Sequence, residues 1–319
     1  MITEQEIDRL IAWADKYNIP EDNGFEVYHN PGERVPSGFP RDRDKIRTME
    51  VLNLQRLNIK ELPVELFSID TIQYATFYNN QIKFIPKEIS KWKNIDTLQI
   101  KDNQLRELPE EFGELSKLSF LSISDNPFIT FPSQIRKLKN LTFLLSSDIG
   151  LNEFPEEIFE LKKLKSLSLG YNNIKVIPSH IDSLTKLEEI ILLKNDIEII
   201  PKEFFNLAKL KSFDLNDNKI KQIPKEIANL KRITEIYLSN NQIEEIPKEI
   251  GELKTLKEFF IWTNHIKTLP KELANIRLTY GINIDDNPIE FLPVELKNYV
   301  KKGKIRGLPK DKEIIYKEI

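Results

Sequence analysis

Asp102, Asp125 and Asp148 stand 23 residues apart, a spacing that would stack three carboxylates in successive turns of a periodic chain. Hard cations such as calcium take carboxylate oxygens, so this column is the first place to look for metal chemistry. Asp-Asn turns are so ordinary in such a pattern that a structural role is the stronger reading. The three histidines, His29, His180 and His265, have no metal-ligand spacing to one another, and only His265 falls near the side expected to bind. No G-x-x-x-x-G-K-[ST] phosphate loop and no G-x-S-x-G elbow occurs. The chain has no cysteine, which excludes disulfides, thiolate metal sites and cysteine nucleophiles. With 50 Asp and Glu, paired acids arise by chance and assign no general acid or base. No catalytic residue, cofactor or metal is expected. The chemistry to look for is recognition.

The elements that would carry it follow from a repeat. Prolines stand at 63, 86, 109, 132, 155, 178, 201, 224, 247, 270 and 293, each 23 residues after the last, with Pro40 one period earlier. The unit reads L-x-x-L-x-L-x-x-N-x-I-x-x-I-P-x-E-I-x-x-L-x-x. In one copy, Ile236-Tyr237-Leu238 alternates inward and outward as a short strand does. Asn241 turns the chain, and its amide can satisfy backbone groups that a buried turn leaves unpaired. Pro247 fixes the backbone angle for the return, and Ile250 and Leu253 are spaced as one helical face. One unit cannot bury its apolar residues alone, so stacked units share a core.

This pattern resembles the leucine-rich-repeat family, in its 23-residue variety with the signature Ile246-Pro247-Lys248-Glu249-Ile250, over about Ile46 to Pro293. Similar repeats occur in bacterial leucine-rich-repeat proteins and in cytoplasmic scaffolds, some of which bind Ras-like GTPases. The resemblance implies an α/β solenoid: a horseshoe of about eleven repeats with a parallel β-sheet on the concave face. Short helices or 3-10 turns would line the convex face, and the concave face would bind protein. Bacterial members that carry a ubiquitin-ligase domain use a catalytic cysteine, which this chain lacks. Two copies depart from the pattern. Leu57 and Ile149 replace the asparagine, and the loop from Ser146 to Gly150 is expected to be locally irregular.

Three segments result: a helical cap and loop over residues 1–45, the array over 46–293, and a C-terminal cap with a basic tail over 294–319. In the first, Thr3 and Glu6 make a capping box, and Ile7, Leu10, Ile11 and Ala14 share a face, with Trp13 and Tyr17 on a second strip. Residues 18–40, rich in Gly, Pro, Asn and charge, read as a loop. The tail carries Lys301, Lys302, Lys304, Arg306, Lys310 and Lys312 and reads as solvated.

Outward strand slots can be listed from the period. Neighbouring strands lie about 4.8 Å apart, so residues 23 apart sit side by side. Tyr74 and Tyr78 fall near the entry end. Phe120, Phe143 and Leu145 are adjacent in the middle with Tyr171 close by, and Ile191 and Leu193 follow. Tyr237, Phe260 and Trp262 cluster near the exit. Glu189, Asp214, Glu235 and Glu258 flank that cluster. Contiguous exposed apolar patches mark binding sites, and aromatic residues dominate interface energies.

The expected function is a non-enzymatic scaffold that binds a protein or peptide bearing a basic patch. Net charge is −3, which supplies no field for nucleic acid or an anionic membrane. The longest apolar runs fall far short of the roughly 20 residues a membrane helix needs. The acidic start Thr3-Glu4-Gln5-Glu6 lacks signal-peptide character, so a cytoplasmic location is expected. The expected oligomeric state is a monomer. The alternative is an exported or surface bacterial factor that binds a host protein, secreted without a visible signal peptide.

Overall fold

The computed structural model describes residues 2–21, 24, 26–28, 34–308 and 314–318. His29, Lys310 and Lys312 lie outside them. The chain forms two compact units: Met1–Gly150 with Pro155–Leu164, and Leu151–Phe154 with Lys165–Ile319.

The first unit opens with a helix, Glu4–Lys16, whose N-cap Thr3 and N3 residue Glu6 form the reciprocal capping box. Ile7, Leu10, Trp13 and Ala14 are buried, while Ile11 is only half-buried. The Trp13 indole donates to the Glu61 carbonyl (3.2 Å), which ties the cap to the first repeat. Arg41 clamps the next segment: its guanidinium donates to the Ile19 carbonyl (2.7 Å) and to Asp15 (2.9 Å). The stretch expected to be a loop instead carries two short antiparallel strands, Glu26–Tyr28 and Arg34–Pro36. Its Gly and Pro content concealed two brief alternating runs, E-V-Y and R-V-P.

Five parallel strands follow: Val51–Asn53, Tyr74–Thr76, Thr97–Gln99, Phe120–Ser122 and Phe143–Leu145. Each pairs with the next at an offset of 23 residues. The return legs are five-residue 3-10 turns, for example Lys87–Lys91, each opened by the periodic proline. In a 3-10 turn residues three apart eclipse, so both apolar positions face the core. The turn ahead of the first strand is instead an α-helix, Arg43–Thr48, capped by Asp42.

The second unit repeats the scheme with strands Ser166–Ser168, Glu189–Ile191, Ser212–Asp214, Glu235–Tyr237, Glu258–Phe260 and Gly281–Asn283. The basic tail is not simply solvated. Ile305–Arg306 adds a further parallel strand beside Gly281–Asn283, and Tyr316–Lys317 pairs with Leu292–Pro293. Gly281 makes this closure possible: at φ +91 a Cβ there would meet the Lys304 carbonyl oxygen at 2.5 Å.

The asparagine column sews neighbouring coils together. Asn241 accepts from the Ile220 N–H (3.0 Å) and donates to the carbonyls of Leu215 (2.9 Å) and Leu238 (3.1 Å). The residue before each such turn sits in the left-handed region, among them Asp102 (φ 58), Asp125 (φ 55) and Asp148 (φ 52). Asp and Asn tolerate that conformation best, which accounts for the stacked aspartates without a metal. The fifth repeat is irregular at one added point: Gly150 is also left-handed (φ 78), and Ile149, in the asparagine's place, is buried.

Trp92 is fully buried in the first unit, 4.9 Å from Phe67 and stacked on Phe77, yet its indole N–H has no partner among the described residues. Trp92→Phe removes that unsatisfied donor along with volume. It is expected to cost no more than about 1 kcal/mol, against about 3–5 kcal/mol for Trp92→Ala, by urea unfolding.

Candidate sheet-face binding site

Alternation along the strands decides which residues reach solvent. In the second unit Ile190, Phe213, Ile236 and Phe259 are 0% exposed, so their neighbours Ile191, Asp214, Tyr237 and Phe260 occupy the opposite face. The register brings Ile191, Asp214, Tyr237, Phe260 and Asn283 into one row across five strands. Glu189, Ser212, Glu235 and Glu258 form the row beside it. Tyr237, Phe260 and Trp262 are half-buried rather than fully exposed, because they pack on one another and on their neighbours. The Tyr237 and Phe260 rings stack with centroids 5.2 Å apart and planes 4° from parallel. Ile191 and Leu193 are also half-buried.

The acids are arranged around these rings. The Tyr237 hydroxyl lies 3.3 Å from a carboxylate oxygen of both Glu235 and Glu258, and its single proton can serve one at a time. Burial, reinforced by those two carboxylates, pushes the Tyr237 hydroxyl above the usual phenol range. Ser166 donates to Glu189 (2.6 Å). Asp214 accepts from the Asn216 backbone N–H (2.9 Å), yet burial outweighs that bond and raises its pKa above the ordinary Asp value. Among the described residues none of Glu189, Asp214, Glu235 and Glu258 is in an ion pair. Adjacent like charges on neighbouring strands are destabilising, so this arrangement is held at a cost to the fold.

That cost can be measured. An acid whose folded pKa lies above its unfolded value penalises the fold wherever it is ionised, and the penalty fades as pH falls through the folded value. Asp214→Asn keeps an acceptor for the Asn216 N–H and removes the charge. At pH 7 it is expected to raise Tm by about 1–2 °C, after discounting for solvent screening, with the gain vanishing below about pH 4. A lower Tm at pH 7 would refute this reading of the acid.

Thr263, next to Trp262, is a β-branched residue in the left-handed region (φ 50). It occupies the turn slot that is left-handed in every coil, where a β-branched residue costs about 1 kcal/mol or more.

In the first unit, Phe120 and Phe143 stand side by side with rings 5.9 Å apart, and Leu145 is half-buried beyond them. Phe143 is the most open of the three, at 40% exposed. Three expected site residues are placed differently. Tyr74 is buried, only 8% exposed, with its hydroxyl accepting from the Gln99 amide (3.1 Å), so it is no exposed anchor. Tyr78 is half-buried with the Arg56 guanidinium 5.5 Å from its ring centroid, a position already taken by the chain's own cation. Tyr171 is exposed but lies in the left-handed turn position (φ 56) rather than on a strand, with Lys194 at 4.7 Å from its ring. His265, also exposed, lines a flank groove with Glu244, Glu245 and Phe291.

Several outward slots hold small polar side chains that are nonetheless buried, including Thr76, Ser122, Ser168 and Ser239. The repeat's period gave no sign of this, because burial there depends on the size of the residue 23 positions away. Among the described residues, no group of three or more metal-ligating side chains comes together, and no helix is long and apolar enough to cross a membrane.

The strand, asparagine turn and proline-led 3-10 return define the class: a repeat solenoid. Leucine-rich-repeat family models match residues 185–243 and 163–184. The fold is that of a leucine-rich-repeat solenoid, and residues 163–243 match the sequence models of that repeat. No curated protein sequence matches it. Among solved structures it is similar to an internalin from Listeria monocytogenes, at 20% identity and TM-score 0.63, covering 84% of this chain and 80% of that one. It is also similar to the plant peptide hormone receptor RGFR1, solved in complex with RGF2, at 26% identity and TM-score 0.62. That match covers 85% of this chain but 49% of the receptor chain. A third is the leucine-rich-repeat ectodomain of the receptor kinase GASSHO1/SCHENGEN3 from Arabidopsis thaliana, in complex with CASPARIAN STRIP INTEGRITY FACTOR 2. There identity is 25% and TM-score 0.64, over 85% of this chain and 35% of that one. The chain therefore spans about half and about a third of these two receptor chains.

Proposed function

We propose that this chain is a non-enzymatic scaffold that binds a protein or peptide on the sheet face of its second unit. Tyr237, Phe260 and Trp262 are the anchors, Ile191 and Leu193 extend the apolar surface, and Glu189, Asp214, Glu235 and Glu258 favour a partner with a basic patch. One observation carries the reading: three large rings share a solvent-side surface with four carboxylates that no cation pairs with among the described residues. Preformed strands lower the ordering cost of association, and stacked rings present area with few rotamers to freeze. The plant receptors solved with bound RGF2 and CASPARIAN STRIP INTEGRITY FACTOR 2 lend support by analogy of fold. Phe120, Phe143 and Leu145 offer a separate apolar contact in the first unit. The acids on the second unit's face argue against nucleic acid and anionic membrane as partners.

Selection from a random peptide display library on the immobilised whole chain tests the proposal. Binders enriched on the native chain and lost on the Phe260→Ala, Trp262→Ala double variant would support it. Binders indifferent to that variant would overturn it.

A further inference from the structure

The stacked pair has a free side, and its surroundings are specific enough to name what fits there. Tyr237 and Phe260 lie on adjacent strands with rings nearly parallel, so one face of Tyr237 is covered by Phe260. Its other face turns toward the next strand, which carries Asp214 in the same row. Beyond Asp214 the row continues with Ile191. The Ile191 and Tyr237 strands are two spacings apart, about 9.6 Å between backbones, and the short Asp214 side chain between them leaves room above it for a flat group stacked on the ring. Glu235 and Glu189 border the slot from the adjacent row, and neither they nor Asp214 is paired with a cation among the described residues.

We propose that this slot is a seat for an arginine side chain presented by an extended segment of a partner protein. The guanidinium plane stacks on the free face of Tyr237, and its in-plane N–H groups donate to the Asp214 and Glu235 carboxylates. This rests on the sheet-face reading above and adds the residue recognised. Arginine fits better than lysine because one planar group can stack and donate at once, whereas an ammonium is a point charge that does one or the other. Ile191 packs against the aliphatic stem.

The probe is the pentapeptide acetyl-Ala-Ala-Arg-Ala-Ala-amide, titrated into the whole chain labelled with ¹³C-tyrosine and followed by NMR at the Tyr237 ring. A lysine pentapeptide and a citrulline pentapeptide, neutral but of arginine's shape, serve as comparisons. The arginine peptide is expected to shift the Tyr237 resonance, with the lysine peptide about threefold weaker and the citrulline peptide at least about tenfold weaker. Asp214→Asn is expected to weaken the arginine peptide about tenfold, while Tyr237→Phe retains binding and Tyr237→Leu loses it. Citrulline binding as well as arginine, or Asp214→Asn binding as the native chain does, would overturn the arginine seat. If library-selected peptides still depended on Phe260 and Trp262 in that event, the general sheet-face reading would stand without it. Arginine binding that survives loss of that dependence would separate the two in the other direction.

Discussion

Asn241→Ala is expected to destabilise the second unit by about 2–3 kcal/mol, because it strips a buried backbone donor of its partner. The side chain is 7% exposed and bonds to four backbone groups, of which the Ile220 N–H has no other partner among the described residues. Its carbonyl accepts from Ile220 N–H, and its amide reaches the carbonyls of Leu215, Leu238 and Ser239 at 2.9–3.1 Å. Alanine leaves the Ile220 N–H buried and unpaired, at about 1–3 kcal/mol, while the three carbonyls lose one of two donors and keep the Asn218 amide, the Asn264 amide and the Asp217 N–H. Because stability in a stacked array is shared between neighbouring coils, the loss should appear as a shifted and broadened urea transition. Asn240→Ala is the control. That side chain is half-buried and donates one hydrogen bond to Asp217 (2.8 Å), so its cost is that bond and the left-handed backbone, about 1 kcal/mol, with no buried backbone group orphaned. Equal losses for the two variants would show that the buried amide is not the coil-to-coil tie.

The second large effect is on binding. Phe260→Ala combined with Trp262→Ala is expected to weaken a sheet-face partner by at least about 100-fold, roughly 3 kcal/mol, as truncation of clustered aromatic anchors does. Both side chains are half-buried on the outer face, while the core neighbours Phe259 and Ile261 are 0% exposed and untouched. Tm should therefore move by no more than about 2 °C, which separates lost contact from lost fold. The matching pair Phe120→Ala, Phe143→Ala in the first unit distinguishes the two apolar surfaces. A partner weakened equally by either pair would need both units.

These contrasts also show where the sequence was readable. Any residue fixed by the period was legible: the strands, the asparagine ties and the proline-led returns all depend on local spacing repeated many times. The capping box at Thr3 and Glu6 was legible for the same reason, a short-range pattern with one meaning. Tyr74 was misread because its burial is set by neighbours on adjacent strands, notably Gln99, and not by its own slot. Tyr171 was misread because position along the repeat carries backbone sign as well as direction, and its slot is left-handed in every coil. The strand Ile305–Arg306 was hidden in a run of lysines, since edge closure needs only one buried residue, Ile305. The carboxylates beside Tyr237 were visible as a group, but that no cation among the described residues pairs with them, and how the Tyr237 ring lies against Phe260, needed coordinates.

Oxidative footprinting of the native chain, free and saturated with a library-selected peptide, tests the central claim most directly. Hydroxyl radicals modify aromatic side chains in proportion to solvent access. The expected result is strong protection of Tyr237, Phe260 and Trp262 on binding, with Phe143 and Tyr171 modified at unchanged rates. Protection of Phe143 or Tyr171 while Tyr237, Phe260 and Trp262 stay reactive would contradict it and place the binding surface elsewhere.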